Sequence, residues 1–248
     1  MKERAKLKSS SARLVCILFQ ELEKLVPSRH IASVYALLEE FPGAKQIAAA
    51  HLTRLKTLLE TATKGHYKRD MALEIRDAAR NSIGSWMPAK SLELQHTIRL
   101  IRELDDEIAE IEKQIQAIMD ELNSPITSIP GTGNLLVATI LAEIGDIKNF
   151  DNPDKLLAFA GREPSTYQSG KYTATNTPMV KHGSRYLRRA LYCAADMAYV
   201  NSPSFRSYID RKRAQGKHYY VAMSHGMKKL VRIIFAVLSR NIPFSEPA

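Results

Sequence analysis

Cysteine is scarce. The two in 248 residues, Cys16 and Cys193, form neither the paired spacing of a zinc site nor the framework of a disulfide-stapled fold. Long apolar runs are missing as well: Leu135–Ala138 and Ile233–Leu238, like every other run, fall far below the roughly 20 residues that a membrane-spanning helix requires. The opening Met-Lys-Glu-Arg-Ala-Lys-Leu-Lys puts charge where a secretory leader would place its apolar core. There is no P-loop and no dinucleotide fingerprint, no internal repeat and no low-complexity tract. Hydrophobic residues at 45% and charged residues at 25% suit a chain that buries a core, which excludes disorder over the whole length. One large or two modest domains are expected, soluble, in a reducing cytoplasmic compartment, with no membrane partner.

Acidic residues are what the last third lacks. Gly161 to Arg240 holds 15 Lys/Arg against three acids, Glu163, Asp196 and Asp210, a net of +12. The rest of the chain carries 21 bases against 23 acids. Charge concentrated to this degree exceeds what solubility asks for and points to a polyanion, nucleic acid first.

The hydrophobic spacing predicts an all-α protein in two parts, 1–125 and 126–248. In the first part, helices are expected over Arg4–Val26 (stopped by Pro27), Ile31–Glu40 after Ser28, Ala44–His51, Leu55–Thr63 capped by Thr53, and Asp70–Ile83. A long helix follows, about residues 91–122. Its Leu94, Ile98, Ile101, Ile108, Ile111, Ile115, Ile118 and Leu122 show the alternating spacing of a coiled-coil seam. Asp105 holds one seam position. Such a strip needs a partner helix, from this chain or from a second copy, and about four heptads favour self-association.

After Asn123-Ser124-Pro125, small residues, glycines and bases replace the Glu/Lys pattern. Helices are expected at Leu135–Ile144, from Pro153 to about Ala160, Ser184–Val200, Ser202–Ala214 and Tyr219–Arg240, with loop or short strand over 161–182. Asn152-Pro153 and Ser202-Pro203 each read as a cap followed by proline at the first helical position.

Four features in this half bear on chemistry. Ile129-Pro130-Gly131-Thr132-Gly133 before a small-residue helix has the form of a helix-hairpin-helix. Its glycines, Gly131 and Gly133, would uncover backbone N–H groups that hold a phosphate oxygen; the other reading is a packing corner. Tyr167-Gln168-Ser169-Gly170 contains a serine near Lys171, Lys181 and three arginines. By itself it reads as a turn, although a serine attacking a phosphodiester needs this kind of cationic setting. Arg185, Arg188 and Arg189 lie three or four apart at the start of a helix, a spacing suited to successive phosphates. His182 just before them is a candidate general base, or a capping or packing residue. The fourth feature is a second basic region, from Arg206 to Arg232, with Tyr208, Tyr219 and Tyr220 interleaved, either to stack on bases or to fill the core. Glu143 and Asp146, three apart at a helix end, do not amount to a metal site.

These motifs in this order, together with Ala142-Glu143-Ile144-Gly145-Asp146, Phe150, Ala158-Phe159-Ala160-Gly161, Pro164 and Leu187-Arg188-Arg189-Ala190-Leu191, resemble the C-terminal domain of bacterial insertion-sequence transposases of the insertion sequence 110 group. The resemblance covers about 129–244. Residues 1–125 look like that group's helical and coiled-coil middle. The resemblance implies DNA transposition and recombination, guided by a structured bridge RNA, with Ser169 as the nucleophile and the coiled coil serving homo-oligomer assembly. That group also carries an N-terminal RuvC-like domain with DEDD acids and a divalent metal. Nothing in residues 1–60 offers such acids on strands, and Arg162-Glu163 stands where an apolar residue is usual. The expectation is therefore a chain without that domain and without a cofactor of its own, Mg²⁺ being needed only where the RuvC-like domain is present. The alternative function is a non-catalytic helix-hairpin-helix protein that binds nucleic acid.

Overall fold

The computed structural model describes residues 1–162, 168–169, 172–173, 180 and 182–246, the four residues at 168–169 and 172–173 through their backbone. It is all-α apart from one short hairpin, and it divides into two compact units, Met1–Ile111 and Glu112–Ala248. The compositional change near 125 coincides with the end of the long helix, whereas the first unit gives way to the second inside it.

The first unit contains α1 (Lys2–Leu18), α2 (Leu22–Leu25), α3 (Ala32–Glu40), α4 (Ala44–Ala49), α5 (Leu52–Ala62), α6 (Arg69–Arg80) and the start of α7 (Pro88–Leu122). The single helix expected over Arg4–Val26 is in fact two. Leu14, Val15, Leu18, Phe19 and Leu22 are all buried, and the chain leaves the helix at Phe19. The Ile17 carbonyl at the broken end accepts the Ser85 N–H at 2.8 Å. The Glu21 carboxylate takes the Ser82 hydroxyl and the Ile83 N–H. Gly84 permits this crossing, because a Cβ there would collide with the Leu18 carbonyl oxygen. Thr53 does not cap α5. The helix begins at Leu52, three residues before the expected start, and the His51 ring accepts the Thr53 N–H.

The seam of α7 is spent in two ways. Leu94, Ile98 and Ile101 are completely buried in the first unit's core, so this chain itself covers the start of the strip. Asp105 is paired with Arg4 at 2.7 Å beside the Tyr35 hydroxyl, whose pKa is pushed up to about 12 by burial and then by the Asp105 charge. Further along, Ile111, Ile118 and Leu122 are 53%, 61% and 55% exposed.

The second unit places α8 (Asn134–Ile144), α9 (Pro153–Phe159), α10 (Arg185–Asn201), α11 (Pro203–Ala214) and α12 (Tyr219–Arg240) around one core. α10 packs on α8 and α12, while α9 and α11 also pack on α12. The interior face of α10 explains how closely these helices approach: Ala190, Ala194, Ala195 and Ala198 are buried there with Leu187 and Leu191. The caps read from the sequence at Asn152 and Ser202 are present as hydrogen bonds, and Ser184 adds a third. Asn152 accepts the Lys155 N–H, Ser184 accepts those of Tyr186 and Leu187, and Ser202 accepts that of Phe205. Between α9 and α10, β1 (Gln168–Ser169) pairs antiparallel with β2 (Tyr172–Thr173). Among the described residues, no helix is long and apolar enough to cross a membrane.

Candidate nucleic-acid interface

The Pro-Gly-Thr-Gly turn is built by its own hydrogen bonds. Pro125–Ser128 forms one turn of 3-10 helix, and the Ile129 carbonyl then accepts both the N–H and the hydroxyl of Thr132. Gly131 and Gly133 have different reasons to be glycine. Gly131 has φ +81°, and a Cβ on it would lie 2.7 Å from the Met197 carbonyl oxygen, so it lets the α8 turn seat on the backbone of α10. Gly133 opens α8 with nothing beside it and no side-chain cap; its carbonyl accepts the Leu136 N–H, which leaves the Asn134 and Leu135 N–H groups to another acceptor. An α-helix stands on one side of this turn and a single 3-10 turn on the other.

A second pair of glycines joins the two ends of the segment that carries Ser169. Gly161 and Gly183 both have positive φ, +64° and +90°. A Cβ on Gly161 would run into the His182 carbonyl oxygen, and one on Gly183 into the Phe159 carbonyl oxygen. The end of α9 and the residues just before α10 thus touch backbone to backbone. Arg188, half-buried, donates to the Ala160 carbonyl at 3.3 Å and secures the same contact. Arg162 lies close by. Burial, and then the Arg188 charge, push its guanidinium below its ordinary pKa. Ser184 caps α10 immediately after the contact, so the helix carrying the arginines starts from a fixed point.

The three arginines therefore do different things. Arg188 faces the carbonyl at the end of α9, while Arg185 and Arg189 are exposed. The Arg185 guanidinium lies over the Tyr186 ring at 4.8 Å and donates to its hydroxyl. His182 is exposed beside them. Ser169 pairs through its backbone with Tyr172, and its side chain, like Lys171 and Lys181, lies outside the described residues.

The second basic region engages this chain's own rings, carbonyls and one carboxylate. Arg211, Lys212 and Lys229 surround the Tyr208 ring, and Lys229 also lies over Phe205. Burial pushes the Lys229 ammonium below its ordinary value. Arg206 donates to the Tyr199 and Val200 carbonyls, and Lys228 and Arg232 share Asp154. Tyr208 and Tyr219 pack on the core. The Tyr219 hydroxyl donates to Asp196 at 2.9 Å, and burial first, then this bond, push its pKa up to about 12. Tyr220 is exposed. Asp146 caps the following 3-10 turn through the Lys148 N–H. Among the described residues, no three His, Cys, Asp or Glu side chains gather as a metal would require.

The sequence showed Arg162 only as a departure from the family pattern, not as a neighbour of Arg188, and did not single out Tyr186. The first was visible as a base directly after the Ala-Gly end of α9. The second was visible as an aromatic inside the arginine run.

The second unit thus sets a glycine-built turn at the start of α8 and a glycine contact before α10 beside the exposed Arg185 and Arg189. Residues 123–210 match the model of the Transposase IS116/IS110/IS902 family. The chain is 32% identical over 131 residues to the insertion element IS110 uncharacterized 43.6 kDa protein of Streptomyces coelicolor, covering 52% of this chain and 32% of the relative. It is 30% identical over 153 residues to the pilin gene-inverting protein of Moraxella bovis, covering 59% and 48%. To the insertion element IS900 uncharacterized 42 kDa protein of Mycobacterium paratuberculosis it is 31% identical over 166 residues, covering 64% and 41%. The chain thus matches about a third to a half of the length of these relatives.

Proposed function

We propose that this protein takes part in DNA transposition by strand exchange, with its second unit binding DNA phosphates and Ser169 acting as the nucleophile. The observation that carries this reading is the Gly161–Gly183 contact, which joins the ends of the Ser169 segment beside exposed Arg185 and Arg189. In the proposed step the Ser169 oxygen bonds to a DNA phosphorus as the bond to a deoxyribose oxygen breaks. The serine hydroxyl gives up its proton, and the leaving oxygen gains one. Arg185 and Arg189 offset the extra negative charge of the five-coordinate phosphorus, and His182 is placed in the chain to accept the proton. The uncapped start of α8 at Gly133 is a further phosphate contact. Lys171 and Lys181, on the same segment, add to its positive charge. Among the described residues no group of His, Cys, Asp and Glu side chains fits Mg²⁺. Self-association through the exposed part of α7 belongs to the same reading. A guide RNA would meet the same basic face.

The test is covalent trapping. The chain is incubated with the ends of a mobile element, with and without guide RNA, Mg²⁺ and a separately supplied RuvC-like domain, over a series of salt concentrations. A denaturant-resistant protein–DNA band that vanishes in Ser169→Ala is the expected result. DNA affinity should fall linearly on a log–log salt plot, by about 0.9 per phosphate engaged. Salt-dependent binding with no band under any condition would replace catalysis by the non-catalytic binding reading. No salt-dependent binding would remove both.

A further inference from the structure

A groove of about 630 Å³ lies within the second unit, between α7, the start of α8 and the outer face of α10. That volume is in the range of small-molecule sites and exceeds what a water-filled surface crease needs. Leu135 and Met197 contribute apolar wall, both of them exposed to solvent although the core continues behind them. Tyr186 stands on the α10 side, its ring covered by the Arg185 guanidinium. Three polar groups in the lining have no hydrogen-bond or ion-pair partner among the described residues: the Asn134 amide, the Arg189 guanidinium and the Glu112 carboxylate. On the α7 side the lining contributes the Glu112 carboxylate.

We infer that this groove takes an unpaired nucleotide of a DNA strand, a subsite that rests on the DNA-binding reading above and extends it. Each part of a nucleotide has a counterpart there. The flat apolar base fits between aromatic and aliphatic walls, where stacking is favourable whatever the base. The Asn134 amide, donor and acceptor together, meets the base edge. The Glu112 carboxylate accepts from an exocyclic amine and repels a second phosphate on that side. Arg189 meets the phosphate at the rim. A fully paired duplex keeps its bases stacked and offers the groove nothing but backbone. The groove therefore selects strands whose bases are already out of the stack, where no unpairing energy is spent.

The experiment compares a labelled DNA duplex of mixed sequence with the same duplex carrying a central bulge, and with the bulged duplex as RNA. The expected result is a bulged-over-paired DNA preference of roughly five- to a hundredfold, the range one stacked base supplies. Leu135→Trp fills the groove from an exposed position and Tyr186→Ala removes its aromatic side. Both should abolish most of the preference, and Leu135→Trp should leave paired DNA bound within about twofold. Cys193 lines the groove and Cys16 lies in the other unit, so bulged DNA should slow alkylation at Cys193 and leave Cys16 unchanged. Equal affinity for the two DNA probes would overturn the inference, as would a preference that survives both substitutions or one confined to RNA. Binding without preference discards the subsite and keeps the DNA reading, whereas no binding to any probe discards both.

Discussion

The two units of this chain carry the same number of cations and use them in opposite ways. Met1–Ile111 sets 18 Lys/Arg against 15 Asp/Glu, and Glu112–Ala248 sets 18 against 11. In the first unit the charges meet each other: eight ion pairs form among the described residues, from Arg4–Asp105 to Arg102–Glu39. In the second, the ion pairs among the described residues both converge on Asp154. Arg185, Arg211, Lys212, Arg213 and Lys229 lie over rings, and Arg188 and Arg206 against carbonyls, contacts that orient a guanidinium or an ammonium without cancelling its charge. Surface ion pairs add little to stability, so the lesson concerns field more than folding. The first unit neutralises itself, and the second keeps a positive surface that a polyanion can complete.

The largest test of this division lies on α7, which serves both units. Leu94→Ala should cost the first unit about 2–5 kcal/mol, the usual penalty for emptying a fully buried leucine site. Ile118→Ala, at an exposed position of the same stripe, should leave the unfolding midpoint of the dilute protein nearly unchanged and weaken self-association in sedimentation. Equal losses of stability from the two would show that the stripe is one continuous core. The next test acts on the second unit alone. Gly161→Ala puts a Cβ into the His182 carbonyl at positive φ, a strain of about 1–3 kcal/mol before the clash is counted. The sole tryptophan, Trp86, belongs to the first unit, and its fluorescence should report an unchanged urea midpoint while helicity is lost earlier. A Trp86 midpoint that falls in step would mean that the two units unfold as one.

Much of this was legible in the sequence, for identifiable reasons. Caps such as Asn152 and Ser202 are local chemistry, so the starts of α9 and α11 could be read directly. The stripe on α7 was legible as a period, but a period does not say who covers it. Leu94 is covered by its own unit, while Ile118, which carries the same signal, is exposed. The break at Phe19 was hidden because it depends on Gly84 and Ser85, distant residues that cap the broken end. The glycines at 131, 161 and 183 were visible as letters of a motif. That one seats α8 on α10, and that the other two meet each other, requires the tertiary structure. Arg188 was legible as a cation, and its carbonyl partner on Ala160 was not.

The smallest expected effect compares the units through pH. His225 in the second unit is pushed below its ordinary pKa first by burial and then by Lys217, Lys212 and Lys228. His30 in the first is lowered by burial, Lys8 and Arg29, while its ring meets the Tyr35 hydroxyl at 3.0 Å. A histidine whose folded pKa lies below its unfolded value of about 6.5 binds its proton more readily when the chain is unfolded. Unfolding therefore takes up protons in the window between the folded value and about 6.5. The contribution of such a group to stability is intact above 6.5 and is lost as pH falls below it. Lowering the pH from 7.5 to 5.5 (values chosen to bracket about 6.5) should reduce the urea midpoint of the wild-type protein, and His225→Gln should flatten that dependence. Added salt screens the three lysines and leaves the burial cause in place, so the flattening should shrink with ionic strength and persist in part. His30→Gln should respond less to salt, because its neighbourhood belongs to the unit that balances its own charge. Equal salt sensitivity at the two histidines would contradict the contrast between a self-neutralised unit and a positively charged one.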